Sequence, residues 1–146
     1  MIRETTRSPL EIAGELRPAL LRLARNLRRE TAALGVTSHQ ATLLALVDGR
    51  PGLSLRQLAD AEGISAPSLS GHVDRLEAAG LLRRVRSEDD RRRVGLELTP
   101  EGRAILKRVR VRRTTWLADR IAHLSDDDRE RVEEALPALR RMLERP

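Results

Sequence analysis

The chain has no cysteine, no phenylalanine and no tyrosine among its 146 residues. The first absence removes disulfides, thiol redox switching and thiolate-bound metals, and with them the usual clue to redox compartment. The other two leave Trp116 to stand alone beside the histidines, so leucine, valine, isoleucine and alanine must bury nearly all the apolar area. That aliphatic inventory suits packed helices. No stretch approaches the ~20 apolar residues of a membrane span. The segment from Met1 to Arg7 also lacks the apolar centre of a secretory signal. The expectation is a soluble cytoplasmic protein without a membrane partner.

Lysine is scarce as well: Lys107 is the only one among 28 basic residues, and with 22 acids the formal net charge is +6. Such a field attracts polyanions, nucleic acid above all, and binding would release counterions. Arginine bias can also follow from genome base composition, so the charge needs a structural context. Length allows one ordinary domain and not two with good cores of their own. Enzymatic chemistry is disfavoured, because no nucleophile–base–orienter set and no glycine-rich phosphate loop occurs. His39, His72 and His123 lie far apart without metal-ligand spacing, and no cofactor or metal is expected.

What the sequence does have is clear helix punctuation. A Ser or Thr cap accepts the first free amides of a helix, while an acid or amide three residues later reaches back. Thr37 with Gln40, Ser54 with Gln57, and Ser125 with Asp128 carry that pattern; Thr99 before Pro100, and Ser65 before Ala66 and Pro67, mark two further starts. Gly35, the turn cluster from Asp48 to Gly52, Gly63 and Gly80 mark the stops. A first helix over Ser8 to Leu34 places Ile12, Leu16, Leu20, Leu23 and Leu27 at helical spacing, with a kink expected near Pro18. Pro100 to about Ala122 carries Ile105, Leu106, Val109, Trp116, Leu117 and Ile121, too broad a stripe for one core. A last helix spans about Asp126 to Glu144, with Pro137 inside it. The first and the last two helices come from opposite ends of the chain, and their apolar faces predict an interface with a second copy, hence a homodimer.

Between Ser54 and Leu82 the sequence spells a short helix, a tight turn at Gly63 and a second helix. Leu58 and Ala59 would pack against Leu69, Val73 and Leu76. A helix fits the major groove of duplex DNA, and its unburied face must carry short hydrogen-bonding groups and cations. With Leu69, Val73 and Leu76 inward, Pro67, Ser68, Ser70, Gly71, His72 and Arg75 are the candidate DNA-facing residues. Leu81 to Leu98 then reads as a β-hairpin. Its arginines, Arg83, Arg84, Arg86, Arg91, Arg92 and Arg93, fit a cationic finger along the DNA backbone that probes the minor groove. Arg84, Arg86, Arg91, Arg92 and Arg93 join the candidate DNA contacts. Asp90 joins them as the carboxylate that orients Arg92, the first choice for the groove.

Over nearly its whole length the chain resembles the MarR (multiple antibiotic resistance regulator) family. The resemblance is most specific in Leu58-Ala59, in the run from Asp74 to Leu81, and in Asp90-Arg91-Arg92 leading to Leu98-Thr99-Pro100-Glu101-Gly102. It implies a mainly α fold with a small β-hairpin wing, a single MarR-like domain over residues 1–146. Residues 37–98 would form the winged helix-turn-helix, and 8–34 with 100–144 the dimerisation helices. It further implies a bacterial, sequence-specific DNA-binding regulator, typically a repressor. As a homodimer it would sit on a pseudo-palindromic operator and be released by a small-molecule effector lodged between the two regions. Gly71 departs from the pattern, since many relatives carry an arginine there after a residue like Ser70. The lack of cysteine excludes the thiol sensing of some relatives. An effector would be anionic or aromatic, with Trp116, His39, Arg17 and Arg25 as possible contacts, although a core or interface role suits Trp116 better and a surface role the other three. The competing reading is a winged helix that binds protein, or a regulator signalled by a partner protein; the arginine-rich hairpin favours DNA.

Overall fold

The computed structural model describes residues 7–86 and 93–144, as six helices and one antiparallel hairpin. The order is α1 (Pro9–Ala32), α2 (Ser38–Gly49), α3 (Leu55–Glu62), α4 (Ala66–Ala78), β1 (Leu82–Arg86), β2 (Val94–Leu98), α5 (Pro100–Ala122) and α6 (Asp126–Leu143). This is the mainly α, winged helix-turn-helix architecture expected. Asp90, Arg91 and Arg92 lie outside the described residues.

Each helix starts where a hydroxyl can take the first amides. Thr37 and Ser54 form reciprocal capping boxes with Gln40 and Gln57, Ser65 accepts from the Ser68 amide, and Thr99 from that of Gly102. Two details differ from expectation. Ser8 and Glu11 form a further complete box. At Ser125 only half of the box exists, because the short Asp128 carboxylate turns to Arg131 at 3.0 Å instead of reaching back to the cap. The chain continues as helix through both Pro18 and Pro137.

The core is aliphatic throughout. Leu43, Leu44 and Val47 of α2, Leu58 of α3, Leu69, Val73 and Leu76 of α4, Leu82 and Leu96 of the hairpin, and Leu106 and Val109 of α5 are all buried together. Each such leucine contributes about 1.5–3 kcal/mol of burial. Gly63 makes the helix-turn-helix turn possible: its φ of 65° is left-handed, a region that costs a side-chain-bearing residue energy.

The wing is wider than a hairpin. β1 pairs with β2 in the register Leu82↔Leu98, Arg84↔Leu96 and Arg86↔Val94. On the other edge of β2, the Leu96 amide donates to the Leu53 carbonyl at 3.1 Å and the Gly52 amide to the Leu96 carbonyl at 3.2 Å. The segment just before α3, readable from sequence only as turn and cap, is thus tied to the sheet and fixes the wing against the helix-turn-helix.

A third tie joins α4 to α5. Thr99 Oγ1 donates to the Gly80 carbonyl at 2.5 Å and accepts from the Gly102 amide at 3.0 Å, while the Thr99 amide donates to the Leu81 carbonyl at 3.1 Å. Gly102 packs so tightly that a Cβ there would lie 2.0 Å from the Leu81 carbonyl oxygen. The Thr-Pro-Glu-Gly run is therefore a docking joint as well as a helix start.

Candidate nucleic-acid interface

The sequence of α4 sorts its side chains by angle. Leu69, Val73 and Leu76 are buried, Pro67, Ser68 and Arg75 are exposed, and Ser70, Gly71 and His72 are half-buried. At about 100° per residue, Ser70, Asp74 and Glu77 line one flank and His72 the opposite one. The outer face that Pro67, Ser68, Gly71 and Arg75 share is open and short-chained, apart from the one guanidinium.

Arg75 lies back along its own helix. Its Nε donates to the Gly71 carbonyl at 3.2 Å, and its Nη2 sits 3.4 Å from His72 Nδ1. A Cβ added at Gly71 would be 3.8 Å from Arg75 Nη2. That is an ordinary van der Waals distance, so the Arg75 guanidinium lies over position 71 without depending on the missing side chain.

His72 meets a neighbour that no local pattern announces. Its ring centroid is 4.4 Å from that of His39 on α2, the planes tilted by 57°. His39 Nε2 is buried with no hydrogen-bond partner among the described residues. Burial, and then the proximity of His39 and Arg75, hold His72 below the usual imidazole value. It therefore presents a neutral ring near pH 7, able to donate or accept according to tautomer.

The arginines of the hairpin separate into two groups. Arg83 pairs across the strands with Glu97 at 2.9 Å. Arg84, a candidate DNA contact, instead reaches α4, with Nη2 2.7 Å from Asp74 and Nη1 3.0 Å from Glu77. These hydrogen bonds and charges hold its pKa above the ordinary arginine value, the Asp74 bond foremost. Asp74 and Arg75, adjacent in sequence, do not form the solvated pair that adjacency invites. Arg86 and Arg93 are exposed at the far end of the strands. They line an open cleft between the wing and α3 together with Arg56, Asp60 and Glu97. Arg56 was not among the sequence candidates; its only signal was its place in the first turn of a helix-turn-helix helix.

Away from this surface, α5 is fastened to its neighbours by arginine. Arg110 pairs with Asp48 at 3.2 Å and Arg112 with Glu30 at 3.1 Å. Arg113 Nη2 donates to Thr31 Oγ1 at 2.7 Å and its Nε to the Leu27 carbonyl at 3.2 Å. Burial, with Arg28 nearby, lowers the Arg113 pKa. Trp116 is half-buried, with the Arg120 guanidinium 5.0 Å from its ring centroid. Arg17 and Arg25 are exposed on α1. Among the described residues no helix is long and apolar enough to cross a membrane, and no three His, Cys, Asp or Glu side chains gather to hold a metal ion.

Comparison with known proteins converges on one group. A sequence model of the MarR family matches residues 34–93. An uncharacterized HTH-type transcriptional regulator of Bacillus subtilis, YfiV, is 30% identical over 115 residues, 79% of this chain and 72% of that protein. The HTH-type transcriptional regulator PecS of Dickeya dadantii is 34% identical over 104 residues, 69% of this chain and 63% of its own length. Among solved structures, a candidate transcriptional regulator protein from Pseudomonas aeruginosa superposes with a TM-score of 0.82 at 29% identity, covering 97% of this chain and 99% of that one. An S. aureus MepR mutant bound to an oligodeoxyribonucleotide shares the fold, with a TM-score of 0.70 at 19% identity over 91% of this chain and 98% of its own.

Proposed function

The chain belongs to the MarR family of DNA-binding transcription regulators, and on that premise we propose that it is a homodimeric repressor of a pseudo-palindromic operator, released by a small anionic effector. The observation that carries the DNA-contacting part is the arrangement of α4. An aliphatic core grips one side of it, and the other leaves Pro67, Ser68 and Arg75 exposed and Gly71 half-buried, while Arg86 and Arg93 are exposed on the wing. In this reading Ser68, Ser70, His72 and Arg75 meet base edges in the major groove. Arg86, Arg93 and Arg56 hold phosphates, and the wing tip with Asp90, Arg91 and Arg92 approaches the minor groove.

Dimerisation is supported by what the single chain leaves uncovered. No residue of α6 is buried, and on α1 only Thr31 is. Leu10, Leu20, Leu21, Leu136, Met142 and Leu143 are all more than two-fifths exposed. Apolar faces of that extent call for a partner. The effector reading is supported by Arg113, a half-buried guanidinium between α1 and α5 with no ion-pair partner among the described residues. A carboxylate-bearing ligand there would gain a charge-assisted contact and alter how α5 seats on α1.

The experiment is retention of the purified protein on duplexes selected from a random pool, measured against salt. A protein that neutralises six to ten phosphates loses about 10³–10⁵ in affinity between 50 and 200 mM salt. A steep loss of that kind, together with a selected site of two-fold symmetry, is the expected result. Salt-insensitive retention, or none, would favour the protein-binding winged helix instead.

A further inference from the structure

We propose that Arg84 is a positioning residue, which fastens the wing to α4 and masks the two carboxylates that α4 carries on its wing-side flank, and that it does not itself touch DNA. The inference rests on the DNA-binding reading above and deepens it.

Strand geometry aims Arg84 at the helix. Along β1, alternate side chains share a face; Leu82 is buried, so Arg84, two residues on, leaves the strand on the side of the core and α4. Asp74 and Glu77 stand three residues apart and so project from the same flank of α4. The planar guanidinium spans them, one terminal nitrogen to each carboxylate, at 2.7 and 3.0 Å. The Arg84 side chain is 30% exposed, against 62% for Asp74 and 41% for Glu77. The cation is thus less exposed than its two anions, and each of its terminal nitrogens already donates to one of them.

The arrangement has two consequences at a DNA surface. Two carboxylates on the groove-facing helix repel phosphates, and a guanidinium bonded to both offsets part of that field. The same fork adds a side-chain bridge between α4 and a hairpin that already packs on it through the shared aliphatic core. With the Gly52 and Leu53 ties, it helps to set the angle at which Arg86 and Arg93 follow α4 onto the duplex. A residue bound to phosphate would act differently, since its loss would weaken binding whatever stood at positions 74 and 77.

The test is a mutant cycle on a selected duplex, by fluorescence anisotropy at several salt concentrations. The proteins are wild type, Arg84→Ala, the pair Asp74→Asn with Glu77→Gln, and all three changes together. Coupled neighbours depart from additivity, whereas independent sites do not. The expected result is that Arg84→Ala weakens binding about tenfold in the wild-type background and less than about twofold in the neutral pair, with the salt slope unchanged in both. Equal loss in both backgrounds, with a slope lower by about one, would show a direct phosphate contact and overturn the proposal.

Amide hydrogen exchange without DNA decides the fastening separately. Faster exchange of the hairpin amides in Arg84→Ala, with the core of α2 and α4 still protected, is expected; unchanged hairpin exchange overturns it. Failure of the wild-type protein to bind any duplex would remove the DNA reading and the masking role that depends on it, and the exchange result would still decide the mechanical role.

Discussion

The winged body and the terminal helices are built from the same few aliphatic residues but solve opposite problems. From α2 through the first half of α5 the leucines close on one another, and Leu44, Leu58, Leu69, Leu76 and Leu96 are all 0% exposed. In α1 and α6 similar residues stand in solvent: Leu20 is 44% and Leu136 43% exposed. Sequence periodicity reads alike in the two regions, because it reports that a helix has an apolar face and not what covers it. The lesson is a division of labour, with one region closing its apolar faces within a single chain and the other leaving them open, to be completed by a second copy under the proposed dimer.

The comparison is broken most forcefully in the core. Leu76→Ala is expected to cost the winged body about 2–5 kcal/mol, the range for a buried leucine whose cavity does not collapse, measured by denaturant unfolding. A loss no greater than that of an exposed leucine would mean that the body is not the self-sufficient part. Next comes Gly102→Ala. Its added methyl has a backbone carbonyl in its way, and overpacking of this kind costs about 1–3 kcal/mol or more. Thermal unfolding should show it, and an unshifted midpoint would place the α4–α5 joint elsewhere.

On the terminal helices, Leu20→Glu with Leu136→Glu should leave hydrogen-exchange protection of the winged body within about 0.5 kcal/mol of wild type. The same change should take the mass by light scattering down to a single chain of 16.4 kDa and weaken binding to two-fold duplexes. A dimer that survives the double change would locate the interface on another surface.

The smallest effect expected is one of pH. Burial, His39 from α2 and Arg75 on its own helix all lower the His72 pKa in the folded chain, so the unfolded chain takes up its proton first on acidification. Stability is then complete above the unfolded value of about 6.5 and declines as pH falls below it toward the folded value. His72→Gln should flatten that decline relative to wild type, read from unfolding midpoints. A variant with the same pH slope would show that His72 titrates as it would in solvent.

How much of this was legible in the sequence depends on the range of the interaction. Caps and glycine stops act within three or four residues. Thr37, Ser54, Ser65, Thr99, Gly63 and Gly80 accordingly marked their elements, and the helix-turn-helix and its inward leucines could be placed. The Ser8–Glu11 box is equally local, a Ser followed three residues later by Glu, and was as legible as the others. Contacts across the chain were not legible. Nothing in a run of arginines says that Arg84 turns inward to Asp74 and Glu77 while Arg86 and Arg93 face solvent. Nor does anything in the turn at Gly52 announce that it lies against β2. His39 and His72, 33 positions apart, meet only because the fold brings the start of α2 to α4. Gly102 carried a family signature before it had a reason, and the reason is the Leu81 carbonyl.

Hydroxyl-radical footprinting of the wild-type protein on its selected duplex is the most direct trial of the arrangement. Two equally protected half-sites on one face of the DNA, their centres about 10 bp apart, are the signature of paired α4 helices in successive major grooves. Protection of one half-site alone, or of a stretch without symmetry, would contradict it.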